Sequence, residues 1–243
     1  MKLLALYDIH GNRDALEAVL ADPRASHPDV VVIGGDAVPG PEASATLDRL
    51  QAIDLPVRWV RGNGEREVAA DGGGGDLLAD DLAARTAAIT ARELGARRGR
   101  ALGELPLTVK LDGVLFCHAS PRRDDEMLTR LSTAQRWSDA LDGVDAGLVV
   151  AGHTHQQDDR IVAGRRFVNA GSVGLPYEGD GAARWLWIDD GVPELRATPY
   201  DAASAGARFL AGGWPDEQSV RAALIDGVEP IVITRIFEAT ARR

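Results

Sequence analysis

Residues 3–12 read LLALYDIHGN, an apolar run that ends abruptly in Asp8, Ile9, His10 and a Gly-Asn pair. Standing alone, such an ending is a turn. It decides the fold because the chain repeats it. Apolar, β-branched runs bounded by Gly, Asp or Pro recur as KLLALY (2–7), DVVVIGG (29–35), PVRWVRG (56–62), GVLFC (113–117), GLVVAG (147–152), RRFVNAG (165–171) and ARWLWID (183–189). These are strand signals. The second run delivers Asp36, the third Asn63, the fourth His118, and the fifth His153 and then, after Thr154, His155.

Helical patterns separate the first strands. NRDALEAVLAD (12–22) sets Leu16, Val19 and Leu20 on one face, with Asn12 as N-cap and Asp14 in the first turn. EASATLDRLQAI (42–53) behaves alike. A β-α-β-α-β opening implies an α/β fold with a largely parallel sheet and right-handed crossovers. After Asn63 the pattern loosens. DGGGGD (71–76) reads as a mobile connection, with a lid beside the site as the alternative. No Gly-Lys-Ser/Thr follows that would make it a P-loop. A helical stretch rich in Ala and Arg runs from about 77 to 102. Strands dominate from Val162 to about Pro199, and the remainder returns to helix before an apolar IVITRIF. The expected organisation is one domain over residues 1–199, with a helical insertion at about 71–105. Residues 200–243 form a C-terminal helical extension, packed on the domain or serving as an interface, which leaves a homo-oligomer open.

The 243 residues suffice for one sizeable core. With 45% hydrophobic and 26% charged residues the composition is that of a globular protein, and a net charge of −10 opposes a surface that coats nucleic acid. No apolar run reaches the roughly 20 residues of a membrane span, and the N-terminus lacks a signal-peptide pattern. Cys117 is the only cysteine, so there is no disulfide framework. A cytoplasmic location is expected.

Scarce residues fall where chemistry needs them. Four of the five histidines and one of the three asparagines lie where an apolar strand ends. In parallel α/β sheets the carboxyl ends of strands are where sites assemble. Imidazole, carboxylate and amide oxygen without sulfur suit Mn²⁺, Fe²⁺, Zn²⁺ or Co²⁺. Asp8, His10, Asp36, Asn63, His118, His153 and His155 exceed what one such ion takes, so two ions are expected, about 3.5–4 Å apart. Two divalent ions outweigh two carboxylates and a hydroxide, and the resulting positive centre attracts a phosphate ester anion.

The series Asp8-x-His10, Gly35-Asp36, Gly62-Asn63, His118 and Gly152-His153-Thr154-His155 resembles the calcineurin-like metallophosphoesterase superfamily, in its small bacterial and archaeal phosphodiesterase-like branch. The resemblance covers about residues 1–190, including NAGSVGLP (169–176), which is similar to the segment that closes the core in small members. It implies a four-layer αββα sandwich of two mixed sheets with a dinuclear centre on loops at one edge. It also implies that Asp8, His10 and His155 hold the first ion, that Asn63, His118 and His153 hold the second, and that Asp36 bridges. Asp36, Asn63 and His118 would carry the catalytic assignment, and a hydroxide bridging the ions would attack phosphorus in line with the leaving oxygen. Mn²⁺ is the favoured ion for assay.

One departure matters. The family's third motif often continues Asn-His-Asp/Glu, whereas Asn63 is followed here by Gly64 and Glu65. Losing general acid catalysis wholly costs on the order of 10²–10⁴ on poor leaving groups. Glu65 or Arg66 could replace the missing imidazole in part; otherwise both are solvated turn residues. The expected function is a metal-dependent phosphodiesterase on a small or nucleotide-like phosphoester. The rivals are a phosphomonoesterase, an interaction scaffold of the same fold, and a metal-binding regulator with little turnover. Arg122 and Arg123 offer a clamp for a second phosphate. Asp124, Asp125 and Glu126 read as a helix start facing solvent, His27 as an exposed residue on the wrong side of the sheet, and Cys117 as buried on the opposite face from His118.

Overall fold

The computed structural model describes residues 1–241. In chain order the elements are β1 (Lys2–Leu6), α1 (Arg13–Ala21), β2 (Val30–Ile33), α2 (Ala43–Gln51), β3 (Val57–Trp59), α3 (Asn63–Asp71), α4 (Leu82–Gly103), β4 (Thr108–Leu111), β5 (Val114–Cys117), α5 (Ala134–Ala140), β6 (Leu148–Ala151), β7 (Gln157–Val162), β8 (Arg165–Ala170), β9 (Ala183–Asp189), β10 (Val192–Thr198), α6 (Ala202–Ala211), α7 (Glu217–Val220) and α8 (Pro230–Thr240).

The strands form two five-stranded mixed sheets, ordered β10-β9-β1-β2-β3 and β4-β5-β6-β8-β7. Each contains a parallel run: β1-β2-β3, which reaches one edge of the first sheet and is continued by antiparallel β9 and β10, and β5-β6-β8, flanked by antiparallel β4 and β7 in the second. Two-residue turns close β4–β5, β7–β8 and β9–β10 at Asp112-Gly113, Ala163-Gly164 and Asp190-Gly191. Positive φ at both turn residues gives them the backbone hand that matches strand twist.

Alternation along the strands sorts side chains into layers. In β1, Leu3 and Ala5 join Val32, Phe116, Val150 and Val168 between the two sheets. Leu4 and Leu6 face the other way, into a core with Leu16, Val19, Leu47, Val68, Ala91 and Leu102 from α1–α4. In β6, Val149 and Ala151 point outward to Trp137, Ala140 and Leu141 around α5. The order helix, sheet, sheet, helix is the expected sandwich. A smaller apolar cluster joins α6, α7, the π-helical turn Arg221–Ile225 and α8 to Leu175 and Tyr177.

Three local readings change. Asn63 opens a helix, α3, instead of a loosened stretch. The helix beyond the glycines is interrupted at Gly95, whose φ of 75° and ψ of 159° are not helical. Residues 124–126 form turn and coil instead of a helix start, and Asp124 is buried, accepting from Arg66 Nε at 3.1 Å.

Candidate metal centre

The seven side chains singled out in the sequence come to one place, at the carboxyl ends of β1, β2 and β3 in one sheet and β5 and β6 in the other. Asp8, His10 and His155 form one trio of potential ligands and Asp36, His118 and His153 a second, each with donor atoms within 4.8 Å of one another. Asp36 Oδ2 lies 3.8 Å from His10 Nε2 and 3.4 Å from His118 Nε2, so it stands between the trios. Asp8 Oδ1 is 3.4 Å from His155 Nε2 and 3.8 Å from His118 Nε2. Asn63 begins α3 and orients its amide by donating to Glu67 Oε1 at 3.3 Å.

Backbone geometry makes this convergence. Asp8, His10, Asp36, His153 and His155 all have φ between 46° and 68°. Non-glycine residues adopt this region at a cost of roughly 1–2 kcal/mol each, and such strain collects at functional sites. Surrounding hydrogen bonds hold it. The amides of Asp8, His10 and Gly11 donate to the carbonyls of Gly35, Asp36 and Ala37 at 2.9–3.1 Å, tying the two loops edge to edge. Gly152 precedes the paired histidines because a Cβ there would lie 2.4 Å from Asp8 Oδ2. Instead the His153 amide donates to that oxygen at 2.8 Å, leaving Oδ1 to face the centre.

Outer hydrogen bonds set the imidazole tautomers. His10, His118 and His155 each place Nδ1 at 2.8–3.1 Å from a backbone carbonyl, of Pro39, Gly34 and Leu175 respectively. A carbonyl only accepts, so Nδ1 carries a proton and Nε2 is the nitrogen turned inward, the one that offers a lone pair to an ion once deprotonated. The cluster therefore fits divalent ions. Asp8 Oδ1, Asn63 Oδ1, His118 Nε2 and His153 Nε2 are buried without a hydrogen-bond partner, and His10 Nε2 faces His155 Nε2 at 3.1 Å. Buried acceptors left unpaired are costly, and two lone pairs in contact call for a cation beside them.

The protonation balance is that of a cluster of opposing charges. Burial pushes the Asp8 and Asp36 carboxyls up, but the imidazoles of His155 and His118 outweigh it and hold both below the usual carboxylate range. Burial lowers His118, yet the Asp36 and Asp8 carboxylates beside it push it up to about 10. His155 rises in the same way through Asp8. Burial and the neighbouring His118 bring His153 down to about 4, and burial with His155 lowers His10.

Several functional residues escaped the sequence reading. Glu65 is fully buried; Oε2 accepts from the amides of Asp36 and Gly62 at 2.8 Å, and Oε1 from those of Ala37 and Val38 at 2.8 and 3.3 Å. It is a clamp on the Asp36 loop, neither a solvated turn residue nor a substitute acid. Arg66 is tied to Asp124. Gly64 donates its amide to Asp36 Oδ1 at 2.7 Å, and a Cβ there would lie 2.2 Å from the Val38 carbonyl oxygen. No side chain fits where the third-motif histidine would stand. Asn169 holds the paired-histidine turn through Gly152 O and Thr154 Oγ1, and Ser172 donates to Asp8 O at 2.7 Å. Arg122 and Arg123 are engaged by Glu126 and Asp125 and do not line the cavity beside the centre. His27 is exposed and lies away from the centre, and Cys117 is buried on the outer face of its sheet, both as expected.

A cavity of about 450 Å³ opens onto His10, Asp36, Asn63, His153 and His155. Among the described residues no helix is long and apolar enough to cross a membrane. The structure is similar to that of a metallophosphoesterase from Sphaerobacter thermophilus, with 25% identity, 94% of this chain and 99% of that chain covered, and a TM-score of 0.72. It is similar in fold to a hypothetical protein from Pyrococcus horikoshii, with 20% identity, coverage of 93% and 99%, and a TM-score of 0.77. No curated protein matches the chain. A family model described as the calcineurin-like phosphoesterase superfamily domain matches residues 1–188, and with the sandwich and the ligand cluster in place, the chain belongs to that superfamily.

Proposed function

We propose that this chain is a dinuclear metal-dependent phosphodiesterase acting on a small phosphoester. The observation that carries the reading is the set of buried, unpartnered atoms from four strand ends, Asp8 Oδ1, Asn63 Oδ1, His118 Nε2 and His153 Nε2, arranged around Asp36. Asp8, His10 and His155 would hold one divalent ion, Asn63, His118 and His153 the other, and Asp36 would contact both. Bound there, the ions supply Lewis acidity, making water nucleophilic near neutral pH and neutralising charge on the phosphoryl oxygens. The chain's own work is preorganisation. Hydrogen bonds from Gly64 and His153 fix one oxygen of each carboxylate and aim the other inward. Carbonyl acceptors fix the imidazole tautomers. Position 64 supplies no proton to the leaving oxygen, so the rate depends steeply on leaving-group acidity. The cavity next to the centre has Glu67 in its wall, which favours a diester monoanion over a monoester dianion.

The test is protein stripped of metal and reloaded with Mn²⁺. It should hydrolyse bis-p-nitrophenyl phosphate faster than p-nitrophenyl phosphate, and Asp36→Asn or His118→Ala should abolish turnover. Equal or greater activity on the monoester would favour a phosphomonoesterase. Hydrolysis of neither, with two ions bound, would replace the enzyme by a binding role.

A further inference from the structure

Beside the candidate ligands, the cavity is also lined by an apolar set, Leu82, Tyr177, Phe209, Trp214, Val220 and Phe237. Four of these come from the C-terminal segment, three of them on its helices. Phe209 belongs to α6, and the turn after it folds Trp214 back, with the Trp214 amide donating to Phe209 O at 3.1 Å. Val220 ends α7, and Phe237 on α8 meets the Tyr177 ring edge-on at 6.0 Å. The Tyr177 ring in turn stacks on His155, with centroids 5.2 Å apart and planes at 14°.

This wall is fastened to the metal-ligand loop. Gln156, next to His155, is buried; it donates to Pro230 O at 2.7 Å and accepts from Thr234 Oγ1 at 2.7 Å. Glu238 on α8 accepts from Thr129 and Ser132 at 2.8 and 2.9 Å. The aromatic surface is thus held at a fixed distance from the centre.

Outside the candidate ligands, charge in the cavity wall has one sign. Glu67, beside Asn63, and Asp216 line it, and among the described residues no lysine or arginine lines any part of the cavity. A second phosphate on a substrate would meet two carboxylates and no cation. An uncharged ring would meet the aromatic side chains of Tyr177, Phe209, Trp214 and Phe237. The volume, about 450 Å³, suits a ligand larger than a phosphate alone.

We infer that the site selects phosphodiester monoanions with a single phosphate and an aromatic group on the ester arm that is retained on phosphorus, which seats against Phe209, Trp214 and Phe237. The kinetic part of this inference rests on the phosphodiesterase reading above; the binding part does not. Replacing methyl by phenyl against such a surface favours the larger group on the order of 10- to 30-fold.

Two measurements on the full chain test it. The first is binding by calorimetry of benzenesulfonate and methanesulfonate, stable monoanions with a tetrahedral head, to the Mn²⁺-loaded protein. The second is kcat/KM for phenyl p-nitrophenyl phosphate against methyl p-nitrophenyl phosphate, which share charge and leaving group. Benzenesulfonate and the phenyl ester should each be preferred by about tenfold or more. Trp214→Ala should bring both ratios towards one. The wild-type ratios need no variant and decide the matter even where the alanine protein folds poorly. Equal affinity for the two sulfonates overturns the inference, as does an unchanged preference in Trp214→Ala. Equal hydrolysis of the two esters overturns it while leaving the phosphodiesterase reading intact. Selective binding without hydrolysis of either ester retires the phosphodiesterase reading and supports the aromatic wall.

Discussion

Replacing Glu65 by glutamine changes one atom and should damage the protein badly. Each carboxylate oxygen of Glu65 accepts from two backbone amides, Oε2 from Asp36 and Gly62, Oε1 from Ala37 and Val38. A glutamine amide must put its NH₂ on one of those sites, so either flip state turns two acceptor bonds into donor-against-donor contacts. Hydrogen bonds to a charged group contribute about 1.5–3 kcal/mol each. Two losses, softened by local relaxation, give a destabilisation of about 3 kcal/mol, or roughly 6–12 °C in Tm for a chain of this size. The loop carrying Asp36 should loosen as well, so metal affinity falls with stability. Burial and the neighbouring Asp36 carboxylate push the Glu65 carboxyl up to about 7, which works against the ionised form. The geometry argues for the carboxylate, because a carboxylic acid proton would find only amide donors around it. Urea denaturation and thermal melting at pH 8 check this. A Glu65→Gln protein within about 0.5 kcal/mol of wild type would refute the clamp and show that Glu65 is held as a neutral acid.

Other outcomes follow from the same geometry. Gly64→His should not restore acid catalysis: its Cβ would press on the Val38 carbonyl oxygen, costing about 1–3 kcal/mol and lowering activity, and faster turnover of poor leaving groups would contradict this. Mn²⁺ affinity of the chelated protein should rise about tenfold per pH unit between pH 7 and 9, because His118, pushed up to about 10, must give up its proton. Calorimetry in buffers of differing ionisation enthalpy reads that proton, and a pH-independent affinity would contradict it. The same raised value stabilises the chelated fold below about pH 6.5, and that contribution is lost as pH climbs through 10, so its melting temperature should fall over that range. Gln156→Ala should release α8 from the paired-histidine loop at a cost of about 1–3 kcal/mol, seen as faster proteolysis of the C-terminal helices; unchanged proteolysis would show that Glu238 alone secures them.

The strand endings were legible in the sequence because each pairs a β-branched apolar run with a residue too polar to stay in the core. That sufficed to single out Asp8, His10, Asp36, Asn63, His118, His153 and His155, and the β-α-β-α-β opening sufficed for the parallel run β1-β2-β3; the second sheet was implied only by the family resemblance. β7, QDDRIV, was not legible: it lies at the margin of its sheet, its residues are exposed or half-buried, and no apolar alternation marks it. α3 carries Gly64 in its first turn and only Val68 as a buried apolar anchor, so its periodicity is weak. Glu65 was misread because its four partners are supplied by a loop 27–29 residues away and by its own helix start, which no local pattern encodes. Asn169 and Ser172 act the same way at a distance. The left-handed backbone at five candidate ligand positions also left no signal, since Asp and His there carry no glycine to announce it. The C-terminal helices were read as an extension, but the face they turn to the centre depends on packing around Tyr177.

Anomalous diffraction from crystals grown with Mn²⁺ would locate the ions. A dinuclear centre gives two peaks, one about 2.0–2.3 Å from Asp8 Oδ1, His10 Nε2 and His155 Nε2, the other at that range from Asn63 Oδ1, His118 and His153, with Asp36 touching both. A single peak, or two peaks that leave Asn63 and His118 without an ion, would contradict it.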